Sequence, residues 1–442
     1  MTDTPRRFEL PPTDDKPGRF WEIRVVERRC ELRFGALVEA KGSGLASERE
    51  VETRVEHFKS PASAQVKAKT KVRRKLEAGY VERELRPSAD SQTRAALERA
   101  VWDALDDTTA RAVYADYIQG ERPTLAERVA LSLALERDDT PADQREALRA
   151  RLYALDAQRE DWLGADLGEL SRRRGFAEVA SLEYRHGMLD ALRLRSPQVY
   201  RPQCSLDAVL TAALASPASR FLRTLTLGLA AGGRGNELEL AAQRVVESGL
   251  RPALRSLEID CLSHGSPDFE LPLLERCLAF APRLEHLDLR GTFRLSRSSA
   301  HPRLRDLNLN FGGDGASWIP RMGGLNMPAL TTLRVRWAPR GRYHSRASEL
   351  HSWFQSASLP ALVELHLELG DAGSEALREL SHAPLFAQLR RVSASRTANR
   401  AATLILDEPE RFAHLERLHL RGGRVHGMIR RDLRALPFVV FQ

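Results

Sequence analysis

Cysteine, aromatic side chains and long apolar runs are all scarce in this chain, and each scarcity removes a class of protein. Four cysteines, Cys30, Cys204, Cys261 and Cys277, spread over 442 residues are too few to staple a small secreted scaffold, which fits a reducing cytoplasm. No stretch approaches the roughly 18 to 20 uninterrupted apolar residues of a membrane span, so no membrane partner is expected. Met1 to Gly18 is polar and proline-bearing and lacks the apolar stretch of a secretory signal. It reads as a disordered lead-in with little to bury. Lysine stops early: all seven lysines lie between Lys16 and Lys75, and arginine takes over afterwards. That break marks off about the first 85 residues as a separate module.

Catalytic signatures are missing as well. The chain has no G-x-x-x-x-G-K-[ST] phosphate loop, no H-E-x-x-H pair and no G-x-S-x-G nucleophile turn. Gly232-Gly233-Arg234-Gly235 has no lysine and reads as a plain loop. Cys261 with His264, joined by Cys277 and His286, offers ligand types that zinc accepts. Yet Cys277 sits within Leu273-Leu274-Glu-Arg-Cys277-Leu278, a helix-facing core position, and the set is read as core. No catalytic residue, metal, cofactor or small-molecule substrate is therefore assigned, and the chain is read as non-enzymatic.

What the chain does have is one phrase, L-x-x-L-x-L, repeated through its second half. Copies start at Leu222, Leu254, Leu284, Leu304, Leu330, Leu362, Leu389 and Leu415, with Ile259, Val335, Val392 and Ala394 as substitutions. Spacings of 20 to 32 residues suit a leucine-rich repeat, in which one strand and one return segment form a unit. A single unit cannot bury its own leucines, so about eight in a row predict a stacked, solenoidal array. The apolar run Leu436 to Phe441 would close it. Leucines facing inward leave the alternate residues on the concave face. That face is predicted to carry Glu258, Asp260, Asp288 and Asp306, then Arg334 and Arg336, then Glu364 and Glu368, then Arg391, Arg417 and Arg421. Mixed sign suits a protein partner, whereas a nucleic-acid groove would be uniformly positive. The asparagine usual after the last strand leucine of such repeats is replaced by Gly312, Gly370 and Gly423, and by Ala230 and Ala338. Without that ladder an irregular array is expected.

Upstream, alternation at Trp21, Ile23 and Val25 and again at Cys30, Leu32 and Phe34 predicts a hairpin, with a third strand at Val51, Thr53 and Val55. A glycine turn at Gly42-Ser43-Gly44 separates them. Ser60-Pro61 opens a helix that ends at Gly79, with an Ala68, Val72, Leu76 stripe and a basic side bearing Lys67, Lys71, Arg74 and Lys75. Glu48, Glu50, Glu52 and Glu56 on the neighbouring strand could neutralise that side. Phe20-Trp21-Glu22, Arg33-Phe34-Gly35-Ala36 and Lys75-Leu-Glu-Ala-Gly79-Tyr80 make residues 19–86 resemble a WGR domain. The resemblance implies contact with nucleic acid or a neighbouring domain; independently, Lys67, Lys71, Arg74 and Lys75 could meet phosphates and Phe34 could stack on a base, against the plainer reading of a solvated helix face and a core aromatic. Here Phe34 replaces the family's tryptophan and Ala36 its arginine, and alanine cannot make a guanidinium's charge-assisted contacts.

Residues 87–200 are the acidic middle of a basic chain, with 16 Lys/Arg against 21 Asp/Glu. Leu97 to Leu105 and Ala112 to Tyr117 have helical spacing, further helices cover Asp143 to Leu163, and Ala191-Leu192-Arg193-Leu194 reads as a capping strand. Trp102, Tyr114 and Tyr117 are read as packing residues. Tyr114-Ala115-Asp116, with Arg122-Pro123 and Glu127 to Leu131, resembles a bacterial, myxobacterial-type repeat-companion domain, which brings no activity with it. The expected fold is thus α/β: lead-in 1–18, small β-rich domain with one helix 19–86, helical capping region 87–200, leucine-rich repeats 201–442. The expected role is recognition of a protein partner through the repeats, with a nucleic-acid-binding regulator using the N-terminal module as the alternative.

Overall fold

The structure, a computed structural model, describes residues 6–10, 18–26, 29–39, 46–58, 61–83, 89–196, 204–229, 235–248, 251–260, 270–271, 274–293, 299–311, 319–337, 347–395, 399–421 and 425–441. The chain is mixed α/β and divides into two compact units, Met1–Ala95 and Ala96–Gln442.

The first unit is a five-stranded antiparallel sheet with one helix. Its strands are β1 (Arg6–Leu10), β2 (Gly18–Val26), β3 (Arg29–Glu39), β4 (Ala46–His57) and β5 (Val81–Arg83), in the order β4-β3-β2-β1-β5. Alternation puts Trp21, Ile23, Cys30 and Leu32 on one face, where they pack with Phe8 and with Ala68 and Val72 of α1 (Pro61–Glu77). The stretch expected to be a disordered lead-in therefore contributes a strand. Phe8 pairs with Trp21 in register, their ring centroids lie 5.4 Å apart, and Phe8 is fully buried. Pro61 opens α1, and Gly79, just past its end, takes the left-handed φ of +86° that favours glycine. The buried stripe of α1 runs Ala64, Ala68, Val72 rather than on to Leu76, which is 46% exposed. Gly35 sits at a bulge, where the β3–β4 register shifts between Phe34 and Ala36. The glycine turn at 42–44 lies outside the described residues.

The second unit opens with α2 (Ala89–Asp103), α3 (Thr108–Ile118), α4 (Pro123–Glu136), α5 (Ala142–Asp156), α6 (Arg159–Leu163), α7 (Ala165–Arg172) and α8 (Phe176–Val179). An antiparallel hairpin follows, β6 (Ala180–Arg185) and β7 (Met188–Ser196). Its two-residue turn has positive φ at both His186 (50°) and Gly187 (75°), the turn whose twist matches paired strands. A Cβ on Gly187 would stand 2.7 Å from the Arg128 carbonyl oxygen and the Val129 Cα of α4. Glycine is required there for φ and for space.

From β7 onward every strand of the main path is parallel to the one before it. They are β8 (Thr224–Leu229), β9 (Ser256–Asp260), β11 (His286–Phe293), β13 (Asp306–Phe311), β15 (Thr332–Trp337), β16 (Glu364–Glu368), β17 (Arg391–Ser395), β18 (Arg417–Arg421) and β19 (Val439–Phe441). The two-residue strands β10 (Glu270–Leu271), β12 (Ser299–Ala300) and β14 (Leu325–Asn326) lie off that path. Returns between strands carry α9 (Leu206–Ala215), α10 (Gly235–Glu247), α11 (Leu274–Phe280), α12 (Ile319–Met322), α13 (Ala347–Ser356), α14 (Gly373–Ser381), α15 (Asn399–Asp407), α16 (Pro409–Phe412) and α17 (Gly427–Arg434).

Each L-x-x-L-x-L phrase lands on one of these strands, and every one of its leucine positions is buried. The pairing carries one row through Leu225, Leu257, Leu287, Leu307, Leu333, Leu365, Val392 and Leu418, and a second through Leu227, Ile259, Leu289, Leu309, Val335, Leu367, Ala394 and Leu420. Burying such a side chain stabilises by roughly 1.5–3 kcal/mol. The rows extend one phrase beyond the sequence reading at each end. Leu189, Leu192 and Leu194 precede them on β7, and Leu436, Val439 and Phe441 follow them into β19. The strand expected to cap the array thus belongs to its rows, and the antiparallel edge is β6.

The expected irregularity lies in the returns and not in the strands. Where a side-chain ladder is missing, a backbone ladder runs along the strand starts. The carbonyl of Arg223 accepts from the N–H groups of Arg255 and Ser256, and the same double acceptance repeats at Arg255, Glu285, Arg305, Thr331, Val363 and Arg390, at 2.8–3.2 Å. Each carbonyl so uses both lone pairs, and no register shift interrupts the parallel pairs.

The sequence boundary near residue 200 is not a boundary in packing. One continuous core runs from Val101 of α2 to Val439 of β19. Tyr114 meets Phe221 edge-on, with ring centroids 5.0 Å apart, and Trp102 and Tyr117 pack against the same core. The α2–α3 loop is held by arginines at the strand starts. Arg255 donates to the Trp102 carbonyl at 3.0 Å, Arg223 pairs with Asp106 at 2.9 Å, and Arg283 pairs with Asp103. Buried Arg111 donates to the Leu105 carbonyl from Nε and Nη2.

Candidate functional site

With the leucine rows facing the core, the alternate residues of the same strands form three columns on the opposite face. The middle column runs Thr226, Glu258, Asp288, Asn308, Arg334, His366, Ser393, His419. On one side stand Ser256, His286, Asp306, Thr332, Glu364, Arg391 and Arg417, and on the other Asp260, Arg290, Asn310, Arg336 and Glu368. Ser395 and Arg421 pair at the end of the latter side. All the face residues singled out from sequence therefore do lie together.

Their charges are organised by ion pairs that alternation alone does not reveal. In the first half, on β9, β11 and β13, three carboxylates surround Arg290. Its Nη2 lies 2.7 Å from Asp288 Oδ2 and 3.6 Å from Glu258 Oε1, and its Nη1 lies 3.3 Å from Asp260 Oδ2. The hydrogen bond to Asp288 holds the guanidinium's pKa above its ordinary value, reinforced by all three acids against its partial burial. Asn308 donates to Asp288 at 2.9 Å, and His286 Nδ1 stands 2.6 Å from Asp306. Sequence reasoning gathered the acids and missed Arg290, although the alternation that nominates Asp260 nominates it equally.

The second half, on β15 to β18, inverts the sign, with five guanidiniums against two carboxylates. Glu364 takes His366 at 2.5 Å and Arg391 at 3.3 Å. Glu368 takes Arg336, and Arg421 at 3.6 Å. Burial pushes the Glu364 carboxyl up, but the His366 hydrogen bond and the charges of His366, Arg391 and Arg334 outweigh it and leave it below the usual value. Arg334 and Arg417 are exposed and enter no ion pair among the described residues. Between them β17 carries Arg391, Ser393 and Ser395 on this face, with Ser393 buried and flanked by His366 and His419. Burial, then Arg417 and Arg421, hold His419 below the ordinary imidazole value.

In the first unit, two of the four basic side chains nominated for the alternative site are engaged internally and two are exposed. Phe34 packs against the hydrophobic cluster. Lys71 Nζ pairs with Glu56 at 2.8 Å, and Lys75 Nζ lies 4.5 Å from the Tyr80 ring centroid and 5.6 Å from that of Trp21. The Lys71 hydrogen bond draws the Glu56 carboxyl below its usual range. Lys67 and Arg74 remain exposed. Of the acids expected to neutralise this side, Glu56 does so and Glu52 is exposed, while the side chains of Glu48 and Glu50 lie outside the described residues.

Cys261 and His264 also lie outside the described residues. Cys277 is fully buried on α11, its thiol pushed up to about 12 by burial, and His286 is engaged by Asp306. Among the described residues no cluster of three His, Cys, Asp or Glu side chains could hold a metal ion, and no helix is long and apolar enough to cross a membrane.

No family model matches the chain, and no curated protein matches it. Among solved structures, a Bacteroides fragilis protein determined as a structural genomics target is similar over 99% of this chain and 96% of that chain, at 16% identity and a TM-score of 0.45.

Proposed function

We propose that this chain is a non-enzymatic interaction protein whose second unit is a leucine-rich-repeat solenoid recognising a protein partner on the face opposite its leucine rows. The observation that carries this reading is the face itself: strands held in continuous register present columns of charged and polar side chains, acidic in one half and basic in the other. A rigid array of this kind costs little ordering on binding, and its divided charge sets orientation and excludes partners of the wrong pattern. In the same reading the first unit is a WGR-like module in which two of the four nominated basic side chains, Lys71 and Lys75, are held in internal contacts. Lys71 on Glu56 and Lys75 on Tyr80 argue against phosphate contact by those side chains. The chain acts in the cytoplasm.

Capture of a partner from native lysate by the full chain tests this, beside a variant with Glu258→Arg and Arg334→Glu. The two changes leave net charge as it was and reverse the pattern along the middle column. Loss of the captured protein, with an unchanged melting temperature, is the expected result. Equal capture by both chains would remove the face as the docking site.

A further inference from the structure

Five guanidiniums stand on the β15–β18 half of the face, and three of them have carboxylate partners. Arg391 leans on Glu364, and Arg336 and Arg421 share Glu368. Arg334 and Arg417 enter no ion pair among the described residues and are exposed, Arg334 acting on Glu364 only through its charge. The two stand on the first and last strands of the patch, Arg334 in its middle column and Arg417 at a corner. Arg334 faces His366, which faces Ser393, which faces His419, and Arg417 is two residues before His419 on the same strand. Neighbouring strands lie about 4.8 Å apart, so three strand steps and one side-chain offset separate the two backbone positions by roughly 16 Å. Extended chain advances about 3.3 Å per residue, so four to five residues of it span that distance. An extended segment joining the two would cross the Glu364–Arg391 pair, His366 and the buried Ser393.

We propose that the β15–β18 half of the face seats an extended acidic peptide segment of the partner, with two carboxylates four to five residues apart on Arg334 and Arg417. The proposal rests on the protein-recognition reading above and specifies its ligand. Guanidiniums hold carboxylates by paired, charge-assisted hydrogen bonds, so two exposed arginines at fixed separation act as a ruler for acid spacing. Glu364 and Glu368 decide between kinds of anion. A nucleic acid, charged at every step, would bring phosphates against both of these carboxylates, whereas a peptide places acids only at the two arginines and neutral residues between. The two glutamates thus exclude a continuous polyanion as well as steering their own arginines.

The test is selection from a library of short random peptides displayed on phage, panned against the full chain and three variants. Arg334→Glu with Arg417→Glu reverses the two arginines. Arg149→Glu with Arg174→Glu, at exposed positions outside the face, matches that change in net charge. Asn310→Trp blocks the middle of the face with bulk. Each variant is used after its melting temperature is found unchanged. The expected result is enrichment of peptides carrying two Asp or Glu residues four to five apart. Their affinity should fall tenfold or more on the Arg334/Arg417 variant and less than twofold on the charge-matched one. Peptides without paired acids that still depend on Asn310 would overturn the acidic ligand while leaving the recognition face standing. Peptides indifferent to all three variants would remove both. Equal losses on the Arg334/Arg417 and charge-matched variants would reduce the effect to net charge and overturn the ruler, as would a single-stranded oligonucleotide that competes at equal concentration.

Discussion

Arg290 closes on Asp288 with two hydrogen bonds, Nε to Oδ1 at 3.1 Å and Nη2 to Oδ2 at 2.7 Å, and from there reaches Asp260 and Glu258. One cation thus holds three carboxylates of neighbouring strands in place, and the acidic half of the face stays folded flat instead of repelling itself. Substituting Arg290 with Ala leaves those acids facing one another. The site is partly exposed, so solvent screening keeps the expected loss on the order of 1 kcal/mol. Urea denaturation of both chains at pH 7 measures this.

The leucine rows should bear most of the stability of the second unit. Leu309 is completely buried in the middle of a row, and Leu309→Ala is expected to cost about 2–5 kcal/mol through lost transfer energy and the cavity left behind. Leu240, 61% exposed on α10, is the matched control, and Leu240→Ala should change stability by less than about 0.5 kcal/mol. Equilibrium denaturation compares the two.

Gly187 fixes the turn that joins the sheet to α4. Gly187→Ala must place a Cβ against the Arg128 carbonyl while holding a positive φ, and should lose more than about 1 kcal/mol. Differential scanning calorimetry would show it as a lowered melting temperature of the second unit.

Mild acid should weaken the same unit through its buried imidazoles. His301 sits with Nε2 at 3.1 Å from the Ala281 carbonyl and Nδ1 accepting from the Arg303 N–H at 3.3 Å, an arrangement only the neutral ring can make. Burial holds its pKa below the ordinary value against the Ala281 hydrogen bond, and burial likewise lowers that of His186. A depressed histidine binds protons more readily when unfolded. Its contribution is therefore present above about pH 6.5 and is lost as pH falls towards the folded-state value. Denaturation at pH 7.5 and 5.5 should show the loss, and His301→Gln should show a smaller difference between the two.

The strands were legible in the sequence because a buried leucine row needs period-two alternation, and six-residue runs such as Asp306 to Phe311 show it without interruption. Of the two end phrases only the last is obscured by substitution, with Val439 and Phe441 in place of leucine around a proline, whereas Leu189-Asp-Ala-Leu192-Arg-Leu194 keeps the full motif one residue after the His186-Gly187 turn and was passed over. β1 was hidden because five residues among charges and prolines show one apolar pair, and only its pairing with β2 gives Phe8 a place to go. The nominated face residues could be read from alternation. Their ion pairs could not, because Arg290 meets Asp260 and Glu258 across a gap of about 30 residues that only strand register closes. The same holds for the pairing of Lys71 with Glu56, which draws one of the four nominated basic side chains into an internal contact.

The most direct measurement is the affinity of the captured partner for the full chain and for Asn310→Trp, by biolayer interferometry on proteins of equal melting temperature. Asn310 stands uncharged between the acidic and basic halves of the face, so a tryptophan there blocks docking by bulk alone. Docking across this face requires the affinity to fall tenfold or more. An unchanged affinity would place the partner elsewhere and contradict it.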